Sequence, residues 1–446
     1  MILFPFSSIA GIGLQVREKT LDNGLKVILL ENHKASVITF QVWYRVGSRN
    51  EEPGKTGLSH LLEHMMFKGT QKVGPEEISR IIQEAGGRIN AFTSKDYTAY
   101  FETLSADRIS IAMELESDRM ANLALREEDF RTEKMVVMEE RRLRTEDQPL
   151  AILMEEANAL AYRSHPYQWP VVGWMSDIAR LTLDDIRHYY ETYYIPNNAF
   201  LVVAGDFQTD RLLAQIEKYF GSIPRGPTPP SVRGLMPPQI GERRVTLRRQ
   251  SRLHACTFLY HVPNLSHPDS FALEVLNAVL STGKSSRLYR ALVSDTPLAL
   301  EANADYNRIS HDPGLFSVFA QLLPGKTFEQ VQNSVEQELD AFKREPIKGP
   351  ELQKAKNQLE ASFIFGLDSL FYQAMLLARY EISGGWRKLK QYLTGIRNVS
   401  AQDIQKVARK YFRSENRTIG ILVPEKTKKS APLEKSQLHS KTTQCR

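Results

Sequence analysis

Cysteine is nearly absent: Cys256 and Cys445 are the only two in 446 residues. They cannot build a disulfide framework or a thiolate zinc site. Cys256 falls in the strand-like run Ala255 to Val262 and is expected to be a small buried residue. Long apolar runs are missing as well. The apolar opening, Met1 to Val16, is too short to span a bilayer, so no stable membrane insertion is expected. That opening resembles the hydrophobic half of a secretory signal, with Ser8 and Ala10 spaced for cleavage before Gly11, although a basic start is lacking. The expectation is export to a periplasm or cell envelope, with a cytoplasmic location as the alternative. The body of the chain also lacks an excess of one charge. The net charge is +6, but Glu425 to Arg446 holds six Lys or Arg against two Glu, which leaves +2 for the rest. A nearly neutral body implies no basic groove and no nucleic-acid partner. The tail lacks aromatics and is expected to be a solvated, disordered end.

What is present is a soluble globular composition, 42% hydrophobic and 25% charged, in a chain long enough for two domains. One stretch carries unusual chemistry: Gly57-Leu58-Ser59-His60-Leu61-Leu62-Glu63-His64-Met65-Met66-Phe67. On a helix, His60 and His64 lie about 40° apart around the axis, so both imidazoles can reach one metal ion. Glu63 flanks that face and can address a water. This is the inverted H-x-x-E-H zinc-peptidase pattern. The bland alternative is a core helix with two satisfied histidines. Thr56 is placed to cap the helix start and Gly69 to end it.

A catalytic zinc needs a third protein ligand and one open position. The segment Glu127 to Glu146 reads as a charged helix with Met135, Val136, Val137 and Leu143 as its apolar positions. Glu133 and Glu140 are seven residues apart, about two turns, and project from one side, whereas Glu139 points away. Glu140 is assigned as the third ligand, and Glu133 as a carboxylate that orients a ligand or helps hold the metal. For each taken alone, a solvated acidic face is the alternative.

Along the chain, Asn23-Gly24 marks a hairpin turn, and Val37 to Val46 alternates as a half-buried strand. Pro75 to Ala85 reads as a helix, Arg88 to Thr93 and Tyr97 to Leu104 as strands, and Ala106 to Asn122 as a helix. Strands and helices without strict alternation argue for an α+β layer. Thr182-Leu-Asp-Asp-Ile186, Tyr194, Asn198 and Val203 match Ser400-Ala-Gln-Asp-Ile404, Phe412, Asn416 and Ile421 at a constant offset of 218 residues. The shared register points to two copies of one α+β domain. The expected division is an apolar arm at 1–16, a metal-bearing domain at 17–223 and a Pro/Gly/Ser-rich linker at 224–240. A homologous domain at 241–424 and the basic tail at 425–446 complete it.

His60-Leu-Leu-Glu-His64, followed by Glu133-Lys-Met-Val-Val-Met-Glu-Glu140, resembles the pitrilysin-type zinc metallopeptidases, in particular shorter bacterial relatives of the mitochondrial processing peptidase β subunit. The resemblance runs from about Thr20 to Val423. It implies two α/β-roll domains in tandem, each an antiparallel sheet covered by helices, facing each other across a cleft. It also implies zinc bound by His60, His64 and Glu140, with Glu63 as general base in peptide-bond hydrolysis. Gly86-Gly87-Arg88-Ile89-Asn90-Ala91-Phe92-Thr93 resembles the family's active-site edge strand, so Asn90, Ala91 and Phe92 would pair with an extended or unfolded peptide through backbone groups. An ordinary edge strand is the alternative. Aligning Gly69 with Gly283 puts Glu274 opposite His60 and Ala278 opposite His64, so the second half lacks the metal residues and would supply the other wall of a cleft. The family's carbonyl-holding Arg and Tyr fall at Val293 and Leu300, which donate no hydrogen bond. Arg287, Arg290 and Tyr306 lie nearby but out of register. The resemblance therefore implies a zinc-bearing subunit whose partner brings the Arg–Tyr pair, with a homodimer as the alternative. A non-catalytic assembly subunit and a hydrolase of small amides or esters are the rival readings.

Overall fold

Hairpin chemistry at Asn23-Gly24 starts the first sheet. The computed structural model describes Ser7–Ser8 and residues 14–425, apart from 233 and 235. The basic tail after Glu425 and most of the apolar arm lie outside the described residues, although Gln15 and Val16 already belong to a strand. The first sheet holds β1 (Ser7–Ser8), β2 (Gln15–Thr20), β3 (Lys26–Glu31), β4 (Val37–Tyr44), β5 (Arg88–Thr93), β6 (Thr98–Ser105) and β7 (Ala199–Gly205), in the order β1-β2-β3-β7-β4-β6-β5. The second holds β8 (Arg243–Arg249), β9 (Ala255–Val262), β10 (Ala299–Tyr306), β11 (Gly314–Leu322) and β12 (Arg417–Pro424), in the order β10-β11-β9-β12-β8.

The internal repeat is visible in this topology. From β3 the first sheet runs β3-β7-β4-β6-β5, and from β8 the second runs β8-β12-β9-β11-β10, the same path. The matching segments fold alike. Thr182 caps the helix Leu183–Tyr193 through Asp185 N–H, and Ser400 caps Ala401–Tyr411 through Asp403 N–H. Beyond each helix, the Asn198 amide donates to Tyr193 O (2.9 Å) and the Asn416 amide to Tyr411 O (2.8 Å). The sheets are mixed rather than purely antiparallel: β3 pairs with β7, and β8 with β12, in parallel. Each of these closing strands returns after a long helical excursion, so no tight turn forces it antiparallel.

The halves interlock by exchanging helices. Leu376, Leu377 and Tyr380, on the helix Leu370–Ile382, share one apolar core with Trp43, Phe200 and Val202 of the first sheet. Consequently β4 is buried on both faces instead of the expected one: Ile38, Phe40, Val42 and Tyr44 meet the first half's own helices, while Trp43 meets the second half. In return, the helix Pro149–Ala161 sets Leu153 against Ala255 and Leu422, and Ala157 against Leu259. A Cβ on Gly420 would come within 2.9 Å of Ala157 Cβ, so only glycine lets this helix lie so close to β12. Polar contacts lock the seam. The buried Glu381 carboxylate accepts from Lys26 Nζ (2.9 Å) and Arg45 Nη2 (2.7 Å). Among the described residues no single helix is long and apolar enough to cross a membrane.

The motif stretch forms the helix Leu58–Met65, the histidine helix below. Thr56 does not cap it, contrary to expectation. Its hydroxyl donates to Asp177 Oδ2 (2.8 Å) instead. Gly57 starts the helix at φ +95°, where a Cβ would also meet Val172 O at 2.7 Å. The first-turn N–H groups of Gly57 and Ser59 donate to the buried Glu51 carboxylate, both at 2.8 Å. A carboxylate reaching in from the preceding loop replaces the short local cap because it satisfies two donors at once. The helix stops at Met65, before Gly69.

Burial pushes the Glu51 carboxyl up to about 8, outweighing the backbone N–H groups that favour its charge. In the unfolded chain it would ionise at the ordinary value of about 4.3. Between those values the folded state binds the extra proton, so the contribution is present at low pH and is lost as pH rises through this window. Glu51→Gln is expected to reduce the drop in stability between about pH 5 and about pH 8, measured by urea denaturation at both ends.

Candidate metal centre

The histidine helix and the helix Glu127–Arg141 pack side by side and bring the expected ligands together. The His60 and His64 rings lie 4.8 Å apart at 70°. Glu140 Oε1 is 3.9 Å from His60 Nε2, and Glu140 Oε2 is 3.4 Å from His64 Nε2. One donor atom from each of the three lies within 4.8 Å of the others, the one such group among the described residues. Glu133 sits behind His64, its Oε2 accepting from Nδ1 at 3.0 Å, while Lys68 Nζ holds its other oxygen at 2.6 Å. That contact leaves the His64 Nε2 lone pair facing Glu140.

The electrostatics fit a cation at this point. Burial, aided by His64 and Arg144, pushes His60 down to about 3, so its imidazole stays neutral as a ligand must. Burial opposes charge on His64 too, but the hydrogen bond and charge of Glu133, with Glu140 and Glu63, raise its pKa above the ordinary value. Arg144 Nη1 also approaches Glu140 Oε1, at 2.5 Å. Glu133 is thus paired with Lys68 and Glu140 with Arg144. Two imidazole nitrogens and one carboxylate oxygen, with room beside them, form a donor set suited to catalytic zinc.

Glu63 faces a cavity of about 340 Å³ that it lines with His60 and Glu140, opposite Ala91, Phe92 and Thr93. Burial raises its pKa, and a 2.5 Å hydrogen bond from the Thr93 hydroxyl works against that rise. Among the described residues β5 pairs only with β6, and no strand lies along its other edge. Along β5, Ile89 and Ala91 pack toward the histidine helix's core, and Thr93 shares that side. Phe92 turns the opposite way, against Trp43 (5.5 Å) and Phe101 (5.8 Å). Asn90 does not line the cavity; its side chain accepts from Ala91 N–H at 2.8 Å. Sequence reasoning missed Thr93, although its parity with Ala91 along the strand placed it on the same face.

Two expectations about neighbouring elements need correction. Met135, Val136 and Leu143 are exposed rather than apolar anchors; Phe130 and Val137 are the buried apolar positions of that helix. After Arg141 the helix loosens into a π-helical turn, Arg142–Glu146, which carries Arg144 and Thr145 to the cavity. All residues lining the cavity belong to the first half.

In the second half, Val293 packs against the core and Leu300 stands exposed on β10, so neither offers a donor. The nearby candidates are committed elsewhere: Arg287 to Glu351, Arg290 to Asp295, and the Tyr306 hydroxyl to Pro263 O. Glu274 pairs with Arg308 (2.7 Å) and accepts from the Tyr392 hydroxyl (2.9 Å), while Ala278 is buried.

The chain is similar to several known proteins along nearly its whole length. Residues 26–173 match the family model described as insulinase (peptidase family M16), and residues 180–359 match the peptidase M16 inactive domain. The second match begins before β7 and so includes a strand of the first sheet. Zinc protease PqqE of Helicobacter pylori is 35% identical over 413 residues, covering 91% of this chain and 92% of that protein. The uncharacterized zinc protease YmxG of Bacillus subtilis is 28% identical over 412 residues, covering 92% of this chain and 98% of its own. A crystal structure of a protease from Helicobacter pylori superposes with a TM-score of 0.89 at 34% identity, over 92% of this chain and all of that one. The M16 inactive-domain structure from Pseudomonas fluorescens shares the fold at a TM-score of 0.81 and 16% identity, covering 92% of this chain and 98% of that one. Two family models matched in tandem and a 35% identical relative over nearly the whole length lead to one conclusion: the chain belongs to peptidase family M16, the pitrilysin type.

Proposed function

We propose that this protein is a zinc-dependent endopeptidase acting on extended or unfolded peptides, with His60, His64 and Glu140 holding the metal and Glu63 as general base. The observation that carries this reading is the convergence of two imidazoles and a carboxylate across a cavity from the free edge of β5. Zinc, when held there, would lower the pKa of a water toward ~7 and polarise a carbonyl. Glu63 takes the proton of the attacking water and returns it to the leaving amine. The burial that raises its pKa helps it keep that proton between the two steps. Thr93 aims the carboxylate, and Glu133 fixes the His64 ring. β5 offers unpaired backbone groups, so an extended peptide would add as one more strand. Backbone pairing ignores side chains, which supports broad sequence specificity.

Val293 and Leu300 supply no donor for the scissile carbonyl, which supports dependence on a second subunit of the same fold carrying an Arg–Tyr pair. A homodimer is the alternative assembly. The apolar arm supports a periplasmic or envelope location. The same two residues favour one rival, a zinc-binding subunit without catalysis of its own. Stoichiometric zinc with no turnover in any pairing would select that rival, whereas full activity of the chain alone would remove the need for a partner.

Glu63→Gln is expected to keep its zinc, read by metal analysis, while turnover of an unfolded peptide falls about 10²–10⁴-fold; undiminished turnover would remove Glu63 as the base. Glu133→Gln is expected to weaken zinc binding about 10–100-fold, measured by chelator competition.

A further inference from the structure

The second half lines none of the cavity, yet it holds the hairpin that forms one wall. β5 and β6 are joined by Ser94-Lys95-Asp96-Tyr97. The Ser94 hydroxyl shapes this turn by accepting from the N–H groups of Asp96 (3.1 Å) and Tyr97 (3.2 Å). Ser48 N–H donates to Ser94 O (3.1 Å) and Arg49 N–H to Lys95 O (2.9 Å). A Cβ on Gly47 would lie 2.4 Å from Ser94 O, so glycine permits this approach.

Asp96 carries the connection outward. Its carboxylate is nearly buried, accepting from the Tyr167 hydroxyl at 2.5 Å and from the backbone N–H of His311, in the second half, at 3.0 Å. Arg49 lies between this carboxylate (3.7 Å) and that of Asp312 (3.1 Å). Asp312 N–H donates to the Tyr167 hydroxyl (3.1 Å), and its carboxylate meets His165 Nε2 (3.1 Å). The loop on the far side is itself braced: the Asn264 amide donates to Ser310 O (2.9 Å) and His311 O (2.7 Å). Behind the hairpin, Phe101 packs on Phe371 of the exchanged helix at 4.8 Å.

An edge strand with one neighbour is among the first elements to open locally. Beyond its pairing with β6 and the packing of Ile89 and Ala91, β5 is restrained by this turn, and Thr93, which aims Glu63, stands three residues before Asp96. We propose that Asp96 is a positioning residue through which the second half sets the pose of the substrate strand. The second half acts on the peptide by bracing the hairpin to which the peptide adds. This rests on the edge-strand reading above. The two carboxylate oxygens of Asp96 are held from different directions, one by the Tyr167 hydroxyl and the other by His311 N–H, so the brace transmits position and not merely proximity.

The test uses the full-length, zinc-loaded protein with Asp96→Ala and, from the opposite side of the seam, Asp312→Ala. Hydrogen exchange of the amides of residues 88–93 is expected to quicken in both variants, with exchange in the histidine helix unchanged. In a Glu63→Gln background, binding of a labelled extended peptide is expected to weaken about tenfold, within the range of coupling through packed networks. In the active protein the rise in KM accounts for most of the loss in kcat/KM, as for an interaction shared by ground and transition states. Unchanged exchange at 88–93 overturns the proposal whether or not peptide binds. Absence of peptide binding to the Glu63→Gln protein with Asp96 and Asp312 intact instead overturns the edge-strand reading. If Asp96→Ala fails to fold, Asp312→Ala, which leaves the hairpin's own residues intact, decides.

Discussion

Ionisable side chains carried on a largely buried helix set the terms for the rest of this structure. Glu63 and His64 are each given a hydrogen-bond partner, because a buried charge or polar group without one is costly, while His60 has only Glu140 at 3.9 Å. The partners come from separate elements. Glu140 and Glu133 arrive on the helix Glu127–Arg141 and Thr93 on the edge strand, while Glu51 from the loop ahead takes the helix's first backbone N–H groups. Each contact that satisfies a polar group also fixes one element against another. The geometry of the site and the packing of the first half are therefore largely one set of interactions.

Duplication supplied two scaffolds of the same path, and the second solves the corresponding position without a metal. Glu274, aligned with His60, meets the buried guanidinium of Arg308. Three aromatic rings box that guanidinium, with Phe271, Tyr392 and Tyr380 at 4.9, 5.1 and 5.5 Å. Cation–π contacts and the carboxylate together make a permanent organic cation tolerable there. The first half gathers donors around a place for an exchangeable cation; the second encloses one belonging to the chain. The candidate metal donors remain on one side, and structural constancy on the other.

Much of the site could be read from spacing alone, because helical periodicity is local. His60 and His64 share a face for the same reason that Glu133 and Glu140 do. The repeat was legible through its capped helices and Asn turns, whose hydrogen bonds span only a few residues. What escaped was non-local. Glu51 caps from the preceding loop, a position that no short capping rule inspects. The buried stripe of the helix Glu127–Arg141 runs through Phe130, Glu133, Val137 and Arg141, mixing charge with apolar bulk. Hydropathy sees only half of that stripe, and so it favoured the exposed Met135 and Val136. β4 read as half-buried because the helix covering its other face lies in the far half of the sequence.

That exchange of helices constrains how the site can respond to a substrate. Each half lays a helix across the other's sheet, and Glu381 holds Lys26 and Arg45 across the join. Separating the halves would expose two apolar sheet faces and strand a buried carboxylate, so a hinge between them is disfavoured. Local motion falls instead to elements with fewer neighbours, here the free edge of β5 and the π-helical turn bearing the exposed Arg144. Both border the cavity, and they differ in what restrains them. The turn is held by its own helix and by Arg141, whose guanidinium is paired with Glu155. β5 is held at its end by a carboxylate that reaches the other half. Restraint of this kind is asymmetric: the scaffold without the metal donors reaches one wall of the cavity beside them and leaves the other to its own helix.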